Sequence, residues 1–137
     1  MEFDIDEFDS VAAADAGAVM QVLDRATNLP MEGVTITIVG EDSERFRKAQ
    51  HVIANRRTAA RIVSRNMPPS AEEMDVEVVD LMASCVIGWT GFFASGLPID
   101  QNHENVKKTF KRHPWLLDQA LIFRANRANF MKASPKS

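Results

Sequence analysis

The chain has 137 residues, a formal net charge of −3, 45% hydrophobic residues and 26% charged residues. This length and composition are typical of one globular domain, and no apolar run is long enough to span a membrane. The acidic N-terminus, MEFDIDEFDS, differs from a secretory signal, and the single cysteine, Cys85, excludes an internal disulfide. We therefore expect a protein of a reducing cytosol.

Charge is strongly segregated along the chain. The first 24 residues hold seven acids and no base, residues 45–65 hold seven bases and no acid, and residues 72–80 hold five acids and no base. Blocks of opposite charge can pair within one molecule or with a partner that carries similar charge blocks. This pattern favours a protein–protein module at least as well as a nucleic-acid-binding protein.

The N-terminal third predicts an arm followed by a β-hairpin. Residues 1–17 are acidic and then alanine-rich, and we expect a flexible arm because they offer little apolar surface to bury. Two β-rich runs follow, AVMQVLD and GVTITIVG, joined by a turn that contains Asn28 and Pro30. The second run alternates apolar and threonine side chains with a period of two, so the sequence predicts a β-hairpin over residues 18–40.

The rest of the domain, residues 43–131, predicts about four helices. Asp42 or Ser43 caps the first helix, and Ser70 opens an acidic second helix whose inner face continues to Trp89. The apolar stripe predicted for the first helix consists of Phe46, Ala49, Ile53, Ala60, Val63 and Met67. Asp100 or Asn102 caps the third helix, and Pro114 begins the last one.

The predicted fold class is α+β, with an N-terminal β-hairpin followed by a mainly α-helical part. One domain covers residues 18–131, and residues 132–137 predict a flexible tail.

The uncharged segment CVIGWTGFFASGLPI, Cys85 to Ile99, links the acidic helix to the basic C-terminal helices. It carries one of the two tryptophans and three of the six glycines, so it predicts a tight turn with buried rings. An ordinary corner of the core and a hinge that binds a ligand are both compatible with this composition. No polar catalytic group lies within the segment.

No catalytic or metal-binding pattern is evident. His51, His103 and His113 lack metal-ligand spacing, and no glycine loop is typical of phosphate binding. We expect no enzyme activity, no cofactor and no metal. Arg57, Arg61 and Arg65 form a basic face of the helix 45–65, at positions i, i+4 and i+8. This face could bind the phosphates of a nucleic acid, remain solvated or pair with the acids of residues 72–80.

The order of motifs over residues 18–131 resembles the small tail assembly chaperones of long-tailed bacteriophages. The resemblance rests on AVMQVLDRATNLPMEGVTITIVGEDSERFRKAQ, VIGWTGFFASGLPI and ENVKKTFKRHPWLLDQALIFRANRANFM. These segments are similar to that family's hairpin, its glycine–tryptophan turn with a Leu-Pro pair, and its closing helices. The segment between Pro98 and Glu104 is longer than is usual in the family.

The resemblance implies a non-enzymatic protein of the bacterial host cytoplasm that binds the tape measure protein and helps recruit tail tube subunits. An exposed apolar groove would suit the amphipathic helices of such a client. The candidate client-binding residues, which could equally be core, are Met74, Met82, Trp89, Phe92, Phe93 and Leu97. The alternatives are a structural virion or connector protein and a small nucleic-acid-binding protein. The sequence leaves a homo-oligomer open, and we expect no membrane partner.

Overall fold

The computed structural model describes residues 2–63, 65 and 67–131. The elements in chain order are α1 (Ser10–Ala16), β1 (Ala18–Leu23), β2 (Pro30–Ile38), α2 (Glu44–Val63), α3 (Ala71–Cys85), β3 (Val86–Thr90), β4 (Phe93–Ala94), β5 (Leu97–Pro98), α4 (His103–Arg112) and α5 (Pro114–Ala125). Short 3-10 turns lie at Ile5–Phe8 and Arg127–Asn129. The predicted mixture of helix and strand is confirmed, and the described part of residues 43–131 contains four α-helices, α2 to α5, while α1 lies before the sheet.

Strand β2 is the centre of a three-stranded antiparallel sheet with the order β1-β2-β3. Its partners in register include Met20 on β1 and Trp89 on β3, both opposite Ile36. The period of two in β2 places Ile36 and Ile38 in the core, where both are fully buried, while Thr35 and Thr37 face the other way. The predicted hairpin is therefore present, with a third strand added beside it.

The core lies between one face of this sheet and the helices. Its largest fully buried side chains are Phe110, Ile36, Ile38, Met82, Leu116 and Val22. They come from the sheet and from α3, α4 and α5, and they belong to one continuous cluster. Burial of one apolar cluster makes the helices and the sheet a single cooperative unit.

The edge of the sheet at β1 is closed by a side chain of α5. The Leu23 backbone N–H donates to Gln119 Oε1 at 2.9 Å, and Gln119 Nε2 donates to the Leu23 carbonyl at 2.8 Å. The amide of Gln119 thus takes the place of a neighbouring strand at this residue, which fixes α5 against the sheet and satisfies an edge that would otherwise be open.

Four helices begin where the sequence predicts. The side chains of Ser43, Ser70 and Asn102 accept backbone N–H bonds from the residue three positions on, at 3.1, 3.1 and 2.9 Å. Pro114 is the first residue of α5. Between the alternatives left open by the sequence, Ser43 and Asn102 are the caps.

The prediction of a flexible arm over residues 1–17 is corrected by α1. Asp9 caps this helix, and Ala14 is buried against Gly40, whose N–H donates to the Ala14 carbonyl at 3.0 Å. Asp15 accepts a bond of 2.8 Å from the Glu44 N–H at the start of α2. The helix is short, but tertiary contacts supply the stability that its length does not. The predicted tail, residues 132–137, lies outside the described residues.

The prediction that the second helix extends to Trp89 is wrong. Helix α3 ends at Cys85, and the next five residues, VIGWT, pair with β2 as strand β3. Val86, Ile87 and Thr90 are β-branched and favour the extended backbone here, and Gly88 disfavours a continued helix. The segment after Cys85 is therefore a strand followed by tight turns, rather than a turn alone.

Asp80 connects three helices through its carboxylate. It accepts bonds from Arg56 of α2 at 2.6 Å and from His103 of α4 at 2.8 Å, and Lys107 lies 3.8 Å away. Partial burial opposes ionisation of Asp80, but the bonds from Arg56 and His103 outweigh it, so the pKa of Asp80 is lowered. The ionised carboxylate therefore stabilises the packing of α2, α3 and α4.

We expect Asp80→Asn to lower the free energy of unfolding by roughly 1–2 kcal/mol near neutral pH. A lowered pKa contributes stability above the ordinary aspartate value of 3.8 and loses it as the pH falls through the folded-state value. The difference in the free energy of unfolding between wild type and variant should therefore disappear below about pH 4. Urea unfolding across this pH range measures it, with Asp75→Asn on the same helix as control. A gap that stays constant with pH would contradict this role.

Candidate binding cleft

The segment after β3 is held by a close approach of two glycines. Gly91 has a φ of 78°, and a Cβ at this position would collide with the carbonyl oxygen of Gly33 on β2. A side chain is therefore excluded by space as well as by backbone conformation. This contact directs the chain from the sheet toward the C-terminal helices.

Trp89 fixes both ends of the following loop. Its indole Nε1–H donates to the Ile99 carbonyl at 2.9 Å, and its ring stacks on Phe92 with 4.4 Å between centroids. The Ile99 N–H donates back to the Phe92 carbonyl at 2.9 Å. Trp89 is half-buried and packs against the main core. It is therefore a structural anchor behind the loop surface.

Strands β4 and β5 form a small hairpin on this anchor. Its two turn residues, Ser95 and Gly96, have φ values of 52° and 79°, which is typical of a type I′ turn. Phe93 pairs with Pro98 and is 63% exposed. Leu97 is 70% exposed but pairs with Ala94, so its side chain lies on the opposite face of the hairpin from Phe93. Two large apolar side chains thus reach solvent on a short, well-defined hairpin.

Beside this hairpin lies an open cleft with a cavity volume of about 480 Å³. Its apolar lining comes from β1, β2, the 91–99 loop and α5, and includes Val22, Met31, Val34, Phe92, Phe93, Ile99, Trp115 and Leu116. Val22 and Leu116 are buried and form the floor, whereas Phe93 is exposed at the rim. The size and apolar character are typical of a site that accepts side chains of a ligand.

The rim of the cleft is basic. Lys108, Arg112 and His113 line it from the end of α4, and no acid is among the lining residues. The ring of His113 meets Trp115 edge-on at 6.3 Å between centroids. An apolar floor with a cationic rim favours an amphipathic partner that carries acids beside its apolar face.

The structure brings together only part of the predicted client-binding set. Phe92 and Phe93 line the cleft, Trp89 supports it from behind, and Leu97 lies on the neighbouring hairpin face. Met82 is fully buried in the core, so its predicted role in a binding surface is wrong. Met74 is exposed, but on the first half of α3 and not at the cleft.

Several residues of the cleft are not part of the sequence-based prediction. Trp115, Met31 and Val34 carry no motif that connects them, because β2 and α5 meet only in the folded chain. The nearest sequence signal is the pair His113 and Trp115 that flanks Pro114 at the start of α5.

The predicted basic face is interrupted. Arg57 donates to Glu77 at 2.7 Å, so the first member is paired with the acidic helix. Arg65 follows the end of α2 with a φ of 56°, outside the helical stripe. The sequence left three roles open for this face: phosphate binding, solvation or pairing with acids. For Arg57, the structure shows pairing between α2 and α3.

No family model, no curated protein and no solved structure matches this chain. Within the described ranges, no helix is long and apolar enough to cross a membrane, and no group of three or more residues is suited to holding a metal ion. Burial raises the pKa of the Cys85 thiol to about 11, against the opposing charges of Arg124 and Arg45. A thiol so protonated is not a nucleophile near neutral pH.

We expect Gly91→Ala to lower the free energy of unfolding by about 2 kcal/mol or more, because it adds a backbone collision to an unfavourable φ. Gly96→Ala is the matched control: its φ of 79° is similar, but a Cβ there would meet nothing within 4 Å. The free energy of unfolding of the control should fall by only about 1 kcal/mol. Chemical denaturation of both variants measures the difference. Equal losses would mean that the approach to Gly33 does not constrain the loop.

Proposed function

We propose that this protein is a tail assembly chaperone of a long-tailed bacteriophage, which holds amphipathic helical segments of the tape measure protein in the cleft. The observation that carries the proposal is an open apolar cleft of about 480 Å³ with the exposed ring of Phe93 at its edge. Its volume suits about two or three large side chains from one face of a helix.

The electrostatics of the rim support a helical client of a particular kind. A helix that presents apolar residues at i, i+3 or i+4 and i+7 can place them in the cleft while acids beside them meet Lys108 and Arg112. Contacts with exposed charges mainly accelerate association and weaken with salt. The apolar floor supplies most of the affinity.

The identity of the client comes from the resemblance of residues 18–131 to tail assembly chaperones. In this role the protein keeps tape measure helices from aggregating in the host cytoplasm, assists tail tube assembly and catalyses no reaction. The preformed loop fits such work, because a rigid platform loses little entropy when it binds.

Co-expression with a tape measure fragment tests the proposal. Wild type should co-purify with the fragment and keep it in solution, whereas Phe93→Ser should weaken the affinity about tenfold, since the variant removes an aromatic contact. Phe3→Ser is the matched control, because Phe3 is 68% exposed but lies near the N-terminus. Isothermal titration with the isolated fragment gives the two affinities.

The proposal is contradicted if the fragment does not co-purify with wild type. It is also contradicted if Phe93→Ser and Phe3→Ser bind the fragment with equal affinity. Circular dichroism of each variant checks that the fold is retained.

A further inference from the structure

The ends of α2 and α3 extend beyond the core. The last ten residues of α2, 54–63, and the first six of α3, 71–76, include no buried side chain. We call these two segments, with the described residues between them, the helical arm. Helical ends that bury no side chain are marginally stable alone, so a packing partner would stabilise this arm.

The helical arm exposes large apolar side chains. Ile62 and Val63 are 77% and 86% exposed, and the other strongly exposed members are Met67, Met74 and Val76. The apolar stripe predicted for α2 therefore reaches the core only in its first half, at Phe46 and Ile53. Several strongly exposed apolar side chains on two neighbouring helix ends are typical of an interaction site.

A groove with a cavity volume of about 770 Å³ runs between the two helices of the arm. Its apolar lining includes Ile53, Ala60, Met67, Pro68, Pro69 and Val76. Arg56, Arg57 and Arg61 line it on the α2 side, and Glu72, Glu73 and Glu77 line it on the α3 side. One wall is thus basic and the other acidic.

The charges nearest the core are neutralised within the chain, and those farther out are not. Arg57 is paired with Glu77, and Arg56 with Asp80. Arg61 and Glu72 have no ion-pair partner among the residues that the structure describes, and the same holds for Glu73. The arm therefore offers a basic patch on α2 and an acidic patch on α3, separated by apolar side chains.

We propose that the helical arm pairs with the arm of a second copy of this chain. A two-fold axis between the arms brings the basic patch of each copy to the acidic patch of the other, and the apolar side chains pack between them. A partner with charges of one sign would be complementary to only one wall of the groove. The arm of a second copy is complementary to both walls. The result is a four-helix arrangement at the dimer axis, which leaves the cleft at Phe93 free.

Reciprocal charge reversal tests the pairing in the full-length protein. Sedimentation equilibrium should show a dimer for wild type. Arg61→Glu places acid against acid across the axis, and Glu72→Lys combined with Glu73→Lys places base against base. Each variant alone should dimerise at least about tenfold more weakly. An equimolar mixture should restore the dimer, because both patches of the heterodimer are then complementary.

Matched controls keep the outcome unambiguous. Glu104→Lys on α4 reverses a charge outside the arm and should dimerise like wild type, and circular dichroism confirms that every variant is folded. A monomeric wild type overturns the proposal. Arm variants that dimerise normally, or a mixture that remains monomeric, overturn it as well. None of these results bears on client binding, which is measured separately with the tape measure fragment.

Discussion

Strand β2 is hydrogen-bonded to a neighbour on both edges, and its strict alternation gives the sheet one apolar face. The helices that form the core therefore pack on that face. The same strand contains Gly33. The carbonyl oxygen of Gly33 leaves room only for a glycine at position 91, directly after β3. The path of the 91–99 loop, and with it the wall of the cleft, follows from this constraint. The cleft is thus a consequence of how the sheet is built.

The two surfaces differ in how their charges are arranged. The cleft combines an apolar floor with a rim of one sign, which selects a partner of opposite sign. The helical arm carries both signs on adjacent helices, which makes it complementary to itself. Ion pairs at Asp80 and Glu77 join the arm to the core and neutralise the inner charges. Segregated charge along the chain thus contributes first to folding and then, we infer, to assembly.

Local signals in the sequence were sufficient for the hairpin and for the helix start at Ser70, and they narrowed the starts of α2 and α4 to two candidate caps each, because turns and caps depend on a few adjacent residues. The continuation to Trp89 was wrong, since apolar spacing after Cys85 fits a helix, whereas pairing with β2 is a long-range contact. Of the apolar residues that line the cleft, the sequence identified Phe92 and Phe93. Met82 was misplaced because apolar periodicity identifies a helix face without showing what covers it.

Hydrogen–deuterium exchange of the full-length protein, alone and with a helical tape measure fragment, tests the central claim most directly. We expect slower exchange on binding in two regions that border the cleft, residues 91–99 and 108–116. We expect no change in the first turns of α3. Slower exchange confined to the helical arm, or no change at the cleft under conditions where the fragment is bound, would contradict the assignment of the cleft as the client-binding site.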